Sequence, residues 1–127
     1  MTFTATLLQK QGMSRGRLVV DENLLKLAPE LQKRRFVVFV PKQGMHDEEI
    51  KHQLLSGRVL ITNNPDDFRY DVPIMEFSMI DTTGVNKDSV FLAEMISRAW
   101  IDFELGSKHH FILKLQPDGK HQLTLPD

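Results

Sequence analysis

Three acidic segments hold the residues best suited to chemistry: Val19-Val20-Asp21-Glu22-Asn23, His46-Asp47-Glu48-Glu49-Ile50 and Ile61-Thr62-Asn63-Asn64-Pro65-Asp66-Asp67-Phe68. The first and third each close a run of β-branched and aliphatic residues. A buried parallel strand reads as such a run, and a charged residue at its carboxyl end lies on the rim where open α/β sheets bind ligands. If the strand before Asp21 and the strand before Asp67 are neighbours at a switch in strand order, Asp21, Asp47 and Asp67 converge on one rim. Carboxylates so gathered suit Mg²⁺ or Mn²⁺, hard ions that take oxygen ligands and keep several waters. Thr62, Asn63, Asn64 and Asn23 stand beside them as groups that orient a water or a phosphate oxygen.

The elements that must position these residues follow from pattern. Leu18-Val19-Val20 predicts a short buried strand. After it, Leu24, Leu25, Leu27, Ala28 and Leu31 fall at helical spacing, with Pro29 expected to kink that helix or end its first part. Phe36-Val37-Val38-Phe39-Val40, stopped by Pro41, predicts a strand buried on both faces. Asp47 is placed to cap a helix from Glu48 to about Ser56, with Gly57 as its stop. Val59 to Thr62 and Ile74 to Ile80 read as two more core strands, separated by the turn chemistry of Asn63-Asn64-Pro65-Asp66-Asp67. A long helix is expected from about Lys87 to Leu105, ended by Gly106, with Trp100 and Phe103 on its apolar face. Alternation on both sides of Pro117-Asp118-Gly119 predicts a hairpin over 111–125, its Leu113, Leu115, Leu123 and Leu125 on one face. A lone hairpin is marginal in water, so this one must dock on the core sheet or on another subunit. Thr2 to Gln9 is β-prone and precedes a flexible turn. The order β, α, β, α, β, β, α, β, β predicts a three-layer α/β domain with antiparallel additions.

Composition narrows the class. At 127 residues the chain suits one domain, 1–127, with a core of about 17–106. Its 41% hydrophobic and 26% charged residues fit a globular fold and exclude disordered and fibrous ones. No cysteine is present, so disulfides and thiolate metal sites are excluded, consistent with a reducing compartment. The start lacks a basic n-region and no apolar run reaches the roughly 18 residues of a membrane span, which predicts a cytoplasmic protein without membrane contact. A net charge of -1 supplies no global field for polyanions, so any nucleic-acid contact must be local. The basic residues Arg15, Arg17, Lys33, Arg34 and Arg35 read first as solvated helix ends.

Along Arg17-Leu18-Val19-Val20-Asp21-Glu22-Asn23-Leu24, Asp47-Glu48-Glu49-Ile50, Gly57-Arg58-Val59-Leu60-Ile61-Thr62-Asn63-Asn64 and Asp67-Phe68, the chain resembles small bacterial PIN-like proteins whose first strand ends in Asp-Glu-Asn. The likeness covers about residues 17 to 80. It implies an α/β PIN-like sandwich of three layers with a mainly parallel central sheet, to which the C-terminal hairpin is added. It also implies a metal-dependent ribonuclease, often a toxin held by a cognate antitoxin, with Asp21, Asp47 and Asp67 as catalytic metal ligands. Glu22, Asn23 and Glu48 are their neighbours. Where several relatives carry a further Asp, this chain has Asn64, which ligates without adding charge.

Other readings attach to the same residues. Asp21 and Asp47 sit where helix N-caps belong, and Asp66 where a turn residue does. His109, His110 and His121 do not suit zinc, because adjacent histidines on a strand point to opposite faces. His46, beside Asp47, is a candidate substrate contact. The rival to the enzyme is a catalytically weak PIN-like module that binds a partner protein. An edge strand left open by the hairpin would also serve a homodimer or an antitoxin groove.

Overall fold

The computed structural model describes residues 15–126. The expectation for Thr2 to Gln9 lies outside them. Elements follow the predicted order: β1 (Arg17–Val20), α1 (Leu27–Lys33), β2 (Val37–Phe39), α2 (Asp47–Gln53), β3 (Arg58–Thr62), β4 (Phe77–Asp81), α3 (Ser89–Asp102), β5 (Ile112–Lys114) and β6 (Gln122–Thr124). They build one six-stranded sheet in the order β2-β1-β3-β4-β5-β6. All pairs are parallel except β5 with β6. This is the expected α/β architecture, a mostly parallel sheet covered by helices and finished by an antiparallel hairpin.

Period-two alternation divides the strands between the two faces. Leu18 and Val20, Val59 and Ile61, and Ile80 join Leu27 and Leu31 of α1 and Leu92, Ala93, Ile96, Ala99 and Trp100 of α3 in the larger core cluster. Val19, Leu60, Phe77 and Met79 face the other way, onto Leu55, Phe68 and Val72, with Ile50 of α2 and Leu54 just after it packed alongside. Trp100 is core, as expected: it meets Phe36 edge-on at 5.1 Å, and a Cβ on Gly16 would lie 2.5 Å from its ring.

Several boundaries differ from the sequence reading, each for a physical reason. The helix expected after β1 is split: a 3-10 turn covers Glu22–Leu24, and α1 starts at Leu27. Pro29 then falls in the first turn of α1, where its missing N–H costs nothing. β2 is not buried on both faces. Among the described strands it is the margin of the sheet, and Val37 is 42% exposed. The fourth strand begins at Phe77, not Ile74, which is 79% exposed. Residues 63 to 76 instead form the parallel crossover from β3 to β4, made without an α-helix and anchored by Phe68 and Val72. α3 stops at Asp102, ahead of Gly106, because Glu104 adopts a left-handed conformation with φ 53°. Gly57 behaves as expected after α2, with φ 71°.

The hairpin docks on its own sheet. β5 pairs with β4 through Met79 and Ile112, Ile80 and Leu113, and Asp81 and Lys114. Leu113 and Leu115 are fully buried, Leu123 half-buried, and Leu125 lies exposed beyond β6. A second subunit is therefore not required to bury it. Gly119 supplies the positive φ of 82° in the turn.

Candidate functional site at the carboxyl edge of the sheet

β1 pairs with β3 on one side and with β2 on the other, so the strand order reverses between β1 and β3. A crevice opens outside the carboxyl ends of strands at such a switch point. Here it is a cavity of about 130 Å³ whose wall includes Asp21, Asn23, Asp47, Asn64 and Asp67. Leu60 and Phe68 form its apolar base, and Pro41 and Met45, from the loop after β2, close one side.

Asp21 follows Val20 directly, so the strand fixes where its carboxylate leaves the sheet. Oδ2 accepts from Thr62 Oγ1 at 2.8 Å, and Oδ1 accepts from the Asn23 main-chain N–H at 3.3 Å. It thus caps the 3-10 turn and faces the cavity together. Thr62 is fully buried; its hydroxyl also accepts from the Asn64 main-chain N–H at 2.9 Å. That one hydroxyl joins the first acidic segment to the third.

Asp47 is not the N-cap of α2. His46 holds that position, and its main-chain N–H donates to Glu49 Oε1 at 3.1 Å, so Asp47 is the first helical residue. Two polar residues in succession made the cap ambiguous by one place. The shift leaves the Asp47 carboxylate free of capping and directed into the cavity, at the helix end where negative charge is favoured.

Asp67 ends the 3-10 turn Pro65–Asp67, and its Oδ2 accepts from Asn64 Nδ2 at 2.8 Å. The Asp47 carboxyl is held above its ordinary value, first by desolvation, then by the adjoining Asp67 carboxylate and by Asp21, with Lys51 opposing. Lys51 itself is clamped by Asp71 at 2.8 Å and Glu48 at 3.0 Å, which raises its pKa. Desolvation leads the Asp47 shift, and repulsion from the neighbouring carboxylates adds to it.

The three aspartates do not form a closed ligand shell. Among the described residues no group of three His, Cys, Asp or Glu side chains is arranged to hold a metal ion. The donor chemistry still fits a hard divalent ion: all three are oxygen donors, they line one cavity, and Mg²⁺ usually takes one or two carboxylates while keeping its waters. Asn23 and Asn64 are on the wall with them, whereas Asn63 does not line the cavity and its carbonyl accepts from Thr83 Oγ1 at 3.4 Å. Asp66 is exposed and pairs with Arg69 at 3.2 Å, a turn residue as its position suggested.

One acidic residue escaped the sequence reading. Asp81 ends β4 opposite Thr62 in register, and it is only 4% exposed. Its Oδ1 accepts from the Thr83 main-chain N–H at 2.9 Å and from the Thr83 hydroxyl. The signal was present: Met79-Ile80-Asp81 repeats the pattern of a strand closing on a carboxylate. The basic residues behave as solvated helix ends and packing groups. Lys33 and Arg34 pair with Glu30 and Glu94, and Arg15 contacts Ser97 and the Phe36 ring.

No family model, curated protein or solved structure matches the chain. No helix among the described residues is long and apolar enough to cross a membrane.

Proposed function

We propose that this protein is a PIN-like, Mg²⁺- or Mn²⁺-dependent ribonuclease that cleaves single-stranded RNA, acting as the toxin of a toxin-antitoxin pair. The observation that carries the reading is the cavity at the switch between β1 and β3, into which Asp21, Asp47 and Asp67 project with the Asp47 proton affinity raised. Asp21, Asp47 and Asp67 are the groups that would hold the ion. A bound ion there supplies an acidified water and neutralises charge developing on a phosphodiester.

The chain's own residues do the remaining work. Thr62 fixes the Asp21 carboxylate by a hydrogen bond, so that ligand needs no reordering on binding. Asn64 holds Asp67 from the other side, and Asn23 stands across the cavity where an amide can orient water or a phosphate oxygen. Because the cavity lies at the sheet rim, a single strand, whose backbone and bases can be splayed, is the substrate that could reach it.

The test is cleavage of an end-labelled single-stranded RNA by wild type and Asp21→Asn, with Mg²⁺, Mn²⁺ or EDTA. Cleavage that needs metal and is lost in Asp21→Asn is the expected result. Metal-independent cleavage, or undiminished cleavage by the variant, overturns the assignment. A second reading, a catalytically weak PIN-like module for a partner protein, is favoured by one observation: the neutral Asn64 amide already satisfies Asp67. It predicts no Mn²⁺ binding in a calorimetric titration and a stable complex with the product of an adjacent gene.

A further inference from the structure

A second recess, of about 440 Å³, lies between the end of β2 and α2, and it shares Pro41 and Met45 with the acidic cavity. Its volume is within the range of small-ligand sites. The loop that separates the two recesses is a tight turn, with the Met45 N–H donating to the Lys42 carbonyl at 3.0 Å and Gly44 at φ 79°. Met45 is thereby presented to both recesses at once.

The lining is unusual for a plain surface. Val40 is 43% exposed despite its apolar side chain, and with Met45 and Leu54 it makes an apolar surface. Around it stand Lys42, which enters no ion pair among the described residues, and Gln43 and Gln53, whose amides make no side-chain hydrogen bond there. The carboxylate on this wall, Glu49, is already engaged by the His46 N–H.

Building on the ribonuclease reading, we propose that this recess seats the unpaired base of the nucleotide that flanks the phosphodiester held over Asp21, Asp47 and Asp67. The apolar surface takes the base face, with the Met45 thioether making a soft contact with the ring. Gln43 and Gln53 offer donors and acceptors to the base edge, and Lys42 meets the adjoining phosphate as a point charge. A base in a duplex cannot turn into such a recess without leaving its partner, so the site selects single strands.

The experiment compares wild type with Lys42→Glu and with Val40→Asp, both exposed positions outside the acidic cavity, on a labelled single-stranded 12-nucleotide RNA and on its duplex. Circular dichroism confirms that each variant is folded. Both variants should raise KM for the single strand about tenfold while kcat changes far less, the mark of lost ground-state binding. An unchanged KM, or a duplex cleaved as readily as the single strand, overturns the proposal. If wild type cleaves nothing with either metal, the ribonuclease reading fails and the recess is judged on binding alone, by fluorescence anisotropy of the same RNA. Weaker binding by Lys42→Glu then sustains it. Equal binding, no RNA binding by wild type, or binding of a peptide in its place overturns it.

Discussion

The two faces of one sheet are built to different ends. The α1 and α3 face holds the larger core cluster, from Leu18 to Leu115, with Trp100 wedged between Phe36 and Gly16, and a recess of about 380 Å³ opens outside it between α3 and the hairpin turn. The opposite face has a smaller cluster under a short α2, a crossover without a helix, and a cavity at one end lined by three aspartates. Rigidity on one side allows the other to collect like charges, whose repulsion must be offset elsewhere. Stability and chemistry should therefore respond to different substitutions.

The largest effect is expected on the α1 and α3 face. Trp100→Ala removes a buried aromatic side chain and should cost about 3–5 kcal/mol, read from urea unfolding, yet leave Mn²⁺ affinity of the folded fraction unaltered. An affinity loss in proportion to stability would erase the distinction between faces. Asp21→Asn is the converse: activity should fall about a hundredfold or more, equivalent to ~2.7 kcal/mol of barrier, with stability changed by less than about 1 kcal/mol. Asn keeps an acceptor for the Asn23 N–H, so a large drop in thermal stability would reassign Asp21 to structure.

How far these differences could be read from the residues depends on what fixes each one. Strand interiors such as Val59-Leu60-Ile61 and the hairpin turn at Gly119 are local properties, visible in pattern. Whether Val37 is covered depends on strand order, which no run of β-branched residues encodes, so β2 looked like a central strand. The cap of α2 was displaced by one residue because His46 and Asp47 both precede the apolar positions. Asp21, Asp47 and Asp67 were recognisable as site candidates, whereas Asp81 was overlooked when its strand was ended at Ile80. Pro41 and Met45 could not be found at all, because the loop that carries them is brought to the cavity only by the tertiary fold.

Gly16→Ala gives an intermediate test of the α1 and α3 face. A new methyl would press on the Trp100 ring, a rigid neighbour that cannot swing away, and should cost about 1–3 kcal/mol by thermal unfolding. A neutral result would mean that this face is looser than its packing indicates.

On the open face the expected effects are smaller and depend on pH. Because the Asp47 pKa is raised above its reference of 3.8, the folded protein binds more protons than the unfolded chain in the window above that value. Metal-free stability should then fall as pH rises through the raised pKa. Asp47→Asn should lack this decline, and Mn²⁺ should cancel it in wild type. Melting curves between pH 4 and 7, with and without Mn²⁺, decide the matter; superimposable profiles for wild type and variant would remove Asp47 from the cluster.

The smallest effect belongs to the hairpin. His121 is shifted below 6.5 by burial, against the pull of Asp118 and Asp102, and its Nδ1 accepts from the Gln116 N–H at 2.9 Å. Its contribution is complete above pH 6.5 and declines as pH falls through the lowered value. Amide exchange at Gln116 should accelerate there relative to neighbouring amides, once the intrinsic pH dependence is removed. Exchange that keeps pace with its neighbours would show that the bond does not hold the turn.

If the cavity holds a metal ion, as proposed, Thr62 bears on which ion it takes. Its hydroxyl gives its proton to Asp21 and accepts from Asn64, and its side chain is enclosed, so it is confined to one rotamer. The two acidic segments that it links are thereby kept at a set separation. Fixed spacing suits a small ion with strict octahedral demands and penalises a larger, more adaptable one such as Ca²⁺. Thr62→Val preserves volume but severs both bonds; the separation then becomes free to widen, and Ca²⁺ should gain ground against Mg²⁺ in a competition titration.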